Sequence, residues 1–175
     1  MASPNITSSE QGPAPLHEIL LMRHAKSDWP EGVSDFERPL SEKGKKNAVK
    51  MGQWLVNQGL MPDLILVSPA KRAQQTVRRL CKECKTPIET IDALYNADEN
   101  TLMQILQNLP ENVKRVMVVG HNPGIQQLAK TLDEAPPSDP LFPTAAIVHL
   151  FFPGKWQQLL PHHSKRLNFV TPKTL

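Results

Sequence analysis

The stretch ILLMRHAKSDW, residues 19–29, runs apolar residues directly into Arg23 and His24, followed by a small Ala25, then Lys26 and Ser27. An apolar run of this length, preceded by His17 and Glu18, predicts a strand over 17–22 that is buried on both faces, as in parallel sheets. The end of that strand is the puzzle. Adjacent cations repel, and two large polar side chains at a strand end contribute little to packing. A negative group belongs where they meet.

Further along the chain, short apolar runs alternate with longer segments of helical period. This is the pattern of parallel strands joined by crossover helices, and it predicts an α/β fold. Strands are expected at 63–67, 87–91 and 115–119, with 144–152 and 166–170 closing the sheet. A helix is expected from Ser41, a suitable N-cap, with Ala48, Met51, Trp54 and Leu55 on one face and Gly59 as its stop. Further helices are expected at 70–83, 98–109 and 123–133. The segment PPSDPLFP, 136–143, reads as a proline-rich loop, and no internal repeat is present.

A chain of 175 residues fits one domain, expected over 17–175, and can bury a substantial core. Hydrophobic residues make up 39% and charged residues 21% of it, as in an ordinary folded domain. The net charge is +3 and the pI about 8.9, but Lys and Arg are scattered, without the basic stripe that nucleic-acid binding requires. A small anionic substrate fits that charge better than DNA. Residues 1–16 lack the apolar core of a signal peptide and contain no Arg, so they are expected to be a disordered tail. No run approaches the roughly 20 apolar residues of a membrane span, so a cytoplasmic location away from membranes is expected. Cys81 and Cys84 form an isolated C-x-x-C in the second of the expected helices. Without a preceding strand or further ligands it reads as structural rather than as a redox or zinc site.

Three polar groups follow strands: Arg23-His24 after the first, Ser68 and Arg72 in SPAKRAQQT after the second, and His121 in GHNPG after the fourth. In a parallel sheet the carboxyl ends of the strands share an edge, and ligands bind in the crevice outside it. Arg72 is the informative one, because it falls in the first turn of its helix. There the macrodipole is positive, and a cation is unfavourable by about 0.3–1 kcal/mol. A bound phosphate would reverse that sign by accepting bonds from Arg72 and nearby backbone N–H groups. Two arginines can clamp phosphoryl oxygens, and one neutral imidazole can attack phosphorus to form a covalent intermediate. His24 is the expected nucleophile, with Arg23 and Arg72 lowering its pKa, and His121 is the second imidazole, donating to the phosphoryl oxygens.

Other phosphate chemistries lack their motifs. Gly44-Lys45 has no glycine five residues earlier, so there is no Walker A loop. Neither cysteine has an Arg six residues later, H-E-x-x-H fails after His17-Glu18 at Leu21, and G-x-S-x-G is absent. No carboxylate or thiolate shell surrounds the histidines, so neither a metal nor another cofactor is expected.

Taken together, these motifs resemble those of the histidine phosphatase superfamily, the clan that includes cofactor-dependent phosphoglycerate mutases, and most of all its SixA-type phosphohistidine phosphatases. The resemblance rests on Arg23-His24, on Ser68 through Thr76, and on Gly120-His121-Asn122-Pro123. It extends to Asp35-Phe36-Glu37-Arg38-Pro39-Leu40 and to Phe142-Pro143-Thr144-Ala145-Ala146-Ile147, and so covers about residues 17–172. It implies a single-domain, three-layer sandwich with a mostly parallel central sheet flanked by helices, and catalysis by Arg23, His24, Arg72 and His121. It also implies that Arg38 supplies a third phosphate-facing guanidinium. Ser27 and Asn122 flank the histidines, and Ser27 is counted with Arg38 as substrate-binding. One departure from the mutases and larger phosphatases matters: Leu94-Tyr95-Asn96-Ala97 stands where they carry an acidic proton donor. Asp98 and Glu99 follow, but they read as the acidic first turn of a helix. SixA-type proteins similarly lack the donor. The expected activity is a metal-independent phosphohydrolase acting on protein phosphohistidine or a small phosphorylated compound. The alternatives are a small-molecule phosphomonoesterase or mutase, and a catalytically weak phosphate-binding adaptor.

Overall fold

The computed structural model describes residues 13–138 and 141–175. The expected tail falls mostly outside the described residues, as does part of the proline-rich loop. Six strands form one sheet in the order β3-β2-β4-β1-β5-β6. They are β1 (Leu16–Arg23), β2 (Leu64–Val67), β3 (Ile88–Thr90), β4 (Arg115–Gly120), β5 (Ile147–Pro153) and β6 (Lys165–Val170). The helices are α1 (Glu42–Asn57), α2 (Lys71–Leu80), α3 (Glu99–Gln107) and α4 (Gly124–Leu132). Strands β3, β2, β4 and β1 pair in parallel, whereas β5 runs antiparallel to both β1 and β6.

The chain leaves the centre of the sheet from β1, passes through α1 and α2 toward the β3 edge, then returns through α3 to β4. Right-handed crossovers running in opposite directions place their helices on opposite faces. Leu20, Met22, Ile65, Val67, Met117 and Val119 accordingly pack with Met51 and Leu55 of α1 and Val77 of α2. Ile19, Leu21, Leu66, Val116 and Val118 pack on the other face with Leu102 and Leu106 of α3 and Leu128 of α4. Two buried faces explain why β1 reads as a continuous apolar run, and Ile19 through Met22 are fully buried. The result is the expected α/β three-layer sandwich.

Helix α1 starts where expected, with the Ser41 hydroxyl accepting from the Gly44 N–H at 3.0 Å. Gly44 is required by close approach: a Cβ there would lie 2.0 Å from the Lys26 carbonyl oxygen. Past the helix end, Gly59 adopts the expected left-handed conformation at φ 66°. Two elements differ from expectation. Helix α2 stops at Leu80, so Cys81 caps it and the C-x-x-C disulfide closes the following turn rather than lying inside the helix. Strand β5 begins at Ile147 instead of 144, because Ala145 turns at φ 64° and donates its N–H to the carbonyls of both Arg23 and His24 at 3.1 Å. No helix among the described residues is long and apolar enough to cross a membrane.

Candidate active site

The sheet ladder brings the polar motifs together. His24 N donates to Gly120 O at 2.9 Å and Ser68 N donates to Val119 O at 3.1 Å, which sets the ends of β1 and β2 on either side of the end of β4. His24 and His121 then face each other with ring centroids 5.0 Å apart. A cavity of about 400 Å³ opens there, lined by all six predicted residues, Arg23, His24, Ser27, Arg38, Arg72 and His121, together with Lys26, Asp35, Asn96, Asn122 and Thr144.

Hydrogen bonding sets the tautomer of His24. Its Nδ1 lies 2.8 Å from the Ala25 carbonyl, which can only accept, so Nδ1 carries the proton and Nε2 keeps its lone pair. Arg72 Nε donates to that Nε2 at 3.3 Å. The pKa of His24 is lowered to about 3, by burial first, with His121, Arg72 and Arg23 adding to the effect. The expected direction holds, but burial exceeds the two arginines as its cause.

His121 Nε2 lies 2.7 Å from Ser68 Oγ, while the Ser68 oxygen already accepts from Ala70 N at 3.2 Å. With the Ser68 proton on that bond, the His121 Nδ1–H is a donor, and among the described residues that buried nitrogen has no partner. Burial, followed by Arg72, lowers the His121 pKa to about 4. Both rings are neutral near pH 7.

Asp35, which does not figure among the predicted site residues, anchors the guanidinium groups. Arg72 donates to the Asp35 carbonyl at 2.7 Å and to its carboxylate at 3.3 Å. Arg38 donates to the same carboxylate at 3.2 Å and to Ser27 Oγ at 2.9 Å. The Tyr95 hydroxyl donates to it at 2.6 Å, and this bond is the largest of the causes holding the Asp35 pKa near about 2. The unfavourable placement of Arg72 in the first turn of α2 thus has a compensating anion even before substrate binds. Only the spacing of Asp35, three residues before Arg38, hinted at this partnership.

The remaining supports lie in segments whose motifs had matched without an assigned role. Thr76 Oγ1 accepts from Ala25 N at 3.0 Å and donates to Arg72 O at 2.7 Å, tying α2 to the loop after β1. The Phe142 carbonyl accepts from Arg23 Nη1 at 3.3 Å and from Asn122 Nδ2 at 2.9 Å. Arg23 Nε and Asn122 Oδ1 stay buried without partners among the described residues. Gly124 lets the loop before α3 approach closely, since a Cβ there would meet the Ala97 carbonyl at 2.1 Å. Asp98 and Glu99 serve α3 as expected: Asp98 accepts from Thr101 N at 2.8 Å, and Glu99 accepts from Thr131 Oγ1 at 2.6 Å. Neither lines the cavity. Among the described residues no cluster of three or more His, Cys, Asp or Glu is arranged to hold a metal.

Known proteins are similar to this chain in sequence and fold. Residues 19–99 match the model of the histidine phosphatase superfamily, branch 1. The chain is 30% identical over 138 residues to the phosphohistidine phosphatase SixA of Escherichia coli, an alignment covering 74% of this chain and 82% of that one. A putative SixA from Nakamurella multipartita superposes with a TM-score of 0.80 at 27% identity, over 92% of this chain and 99% of the other. A SixA protein histidine phosphatase complexed with tungstate superposes with a TM-score of 0.76 at 26% identity, over 90% and 98%. This chain belongs to the histidine phosphatase superfamily, and its activity is that of a phosphatase.

Proposed function

We propose that the chain hydrolyses phosphohistidine on protein partners through a covalent intermediate at His24 Nε2. In the first step the Nε2 lone pair attacks phosphorus while the bond from phosphorus to the substrate imidazole breaks. That imidazole departs neutral, already protonated on its other nitrogen. In the second step water attacks the phosphorylated His24, the phosphorus–Nε2 bond breaks, its electron pair returns to the ring, and phosphate is released with the protons of water. Arg23, Arg72 and the Nδ1–H of His121 stabilise the charge on the phosphoryl oxygens in both steps. Arg38 and Ser27 hold the rim. A related SixA structure is complexed with tungstate, a tetrahedral oxyanion like phosphate, which supports binding of a phosphoryl group by a protein of this fold.

The observation that carries this choice of substrate is the state of the one carboxyl group among the described residues that lines the cavity. Asp35 is held near a pKa of about 2 by Tyr95 and the arginines, so it is ionised at neutral pH and has no proton to give. An alkyl phosphate must leave as an alkoxide unless an acid protonates it, and such help is worth about 10² to 10⁴ in rate. An imidazole, with a pKa of about 6.5, needs no such help. The test is kcat/KM for a phosphohistidine peptide, an aryl phosphate and a sugar phosphate under identical conditions. The expected order is phosphohistidine, then aryl, then sugar phosphate. A sugar phosphate as best substrate refutes the reading and directs attention to Asp98 and Glu99 as acids.

A further inference from the structure

The phosphate cavity continues past Arg23 into a second groove of about 700 Å³, and the two share Arg23, Lys26, Asn122 and Thr144. Lys43 and Lys173 join Lys26 along this groove, and among the described residues no carboxylate lines it. All three lysines are exposed, and none forms an ion pair among the described residues. Lys45, by contrast, pairs with Glu42 at 2.7 Å.

Two placements go against local preference or require dedicated support. Lys43 sits in the first turn of α1, where the macrodipole disfavours a cation, as it does at Arg72. Lys173 is brought to the groove by a turn that Lys50 fastens, its ammonium donating to Pro172 O at 2.8 Å and Leu175 O at 2.7 Å. Thr171 N also donates to Thr174 Oγ1 at 3.0 Å within that turn. Apart from the shared Arg23 and Lys26, the cations differ in kind between the two sites. Arginines, whose planar forks match phosphoryl oxygens, surround the phosphate cavity, whereas the groove beyond carries lysines, point charges that accept carboxylates in many orientations.

We infer that this groove docks an acidic segment of the phosphoprotein, its carboxylates facing Lys26, Lys43 and Lys173 while its phosphoryl group lies against Arg23. This rests on the proposed action on protein phosphohistidine. The groove is larger than the phosphate cavity and mixes lysines with the Asn47 and Gln126 amides and the apolar Leu141 and Phe142. That composition suits a polypeptide surface better than an enclosed small-ligand site.

The test uses two synthetic phosphohistidine peptides of equal length, one with Asp and Glu flanking the phosphohistidine and one with Ser and Gln there, and the double variant K43E/K173E. For the wild type at low salt, kcat/KM should favour the acidic peptide by about ten-fold, with the advantage falling as salt rises. The variant should lose that advantage while its rate on para-nitrophenyl phosphate stays within two-fold. In parallel, anisotropy of a fluorescein-labelled Glu-rich peptide without phosphate should report binding to the wild type and none to the variant. Equal rates for the two peptides in the wild type overturn the docking inference, as does an acidic preference that survives in the variant. If only para-nitrophenyl phosphate is hydrolysed, the phosphohistidine reading fails and the anisotropy alone decides the groove. Loss of sugar bisphosphate turnover in the variant, with peptide binding unchanged, assigns the groove to a second phosphate and overturns the inference.

Discussion

Strands β1 and β4 carry histidine, arginine and carboxylate partners at both edges of the sheet. Where β1 and β4 begin, Glu18 accepts from Arg115 at 2.8 Å through one oxygen and lies 2.7 Å from His149 Nε2 through the other. Asn168 closes the group 3.2 Å from His149 Nδ1. Where the same strands end, Arg23, Arg72, His24 and His121 meet, and their one carboxylate, Asp35, sits to the side, bonded to Arg72, Arg38 and Tyr95. The Glu18 group is neutralised within itself, and both nitrogens of His149 have partners. The finishing edge keeps a surplus of positive charge, an imidazole lone pair facing an arginine, and unpartnered nitrogens on Arg23 and His121. Similar residues thus give a structural clamp at one edge and a reactive pocket at the other. What separates them is whether the hydrogen-bonding capacity is satisfied within the protein.

The largest effect expected from this contrast is at His24. His24→Ala should lower turnover by about 10⁴-fold or more, as loss of a nucleophile does. Rapid quench of the wild type with labelled substrate should yield an acid-labile, alkali-stable protein phosphate. Label retained at the same level in the variant would remove His24 from the reaction.

Next come the paired substitutions that set one edge against the other. Arg72→Ala or His121→Ala should each reduce kcat by about 10²-fold through a lost donor to the transition state. His149→Gln should leave kcat/KM within two-fold while lowering the urea midpoint, because it disturbs only the clamp around Glu18. Comparable kinetic losses from both edges would erase the distinction drawn above.

A smaller effect, of about ten-fold, is expected for Asp35→Asn, because Arg72 and Arg38 would lose an anchor while keeping their charge. Its signature is a similar loss on aryl and alkyl phosphates. If Asp35 were instead a proton donor, the alkyl phosphate would suffer far more than the aryl one.

The last expectation reads stability rather than rate and concerns pH. Burial lowers the pKa values of His24 and His121 to about 3 and 4, whereas the unfolded chain titrates near 6.5. Below pH 6.5 the unfolded chain therefore binds more protons than the folded one, so stability is full above that pH and falls on acidification toward 4. The maximal slope is about 1.4 kcal/mol per pH unit for each group. Urea midpoints between pH 7 and 4.5 should fall, and His24→Gln should flatten the decline. An unchanged slope in the variant would mean that His24 titrates normally.

Much of this molecule is legible along the chain because its determinants are local. The apolar run of β1, the Ser41 cap of α1, the Gly59 stop and the acidic cap of α3 each depend on neighbours within a few residues. The Arg-His pair and the spacing of Ser68, Arg72 and His121 identify the chemistry as soon as a parallel sheet is assumed, since its strand ends share one edge. The turn at Ala145 escaped that reading because its N–H answers to carbonyls of Arg23 and His24, 121 and more residues earlier. The same holds for Asp35, whose value lies in reaching an arginine 37 residues away and a tyrosine 60 residues away. Burial, the main cause of the lowered His24 pKa, is likewise a property of the packed interior. Sequence alone determined which polar groups follow the strands and on which edge they meet. Tertiary structure decided which nitrogen of His24 keeps its lone pair, which arginine faces it, and which donors stay unpartnered, because hydrogen-bond satisfaction is settled only when distant segments meet.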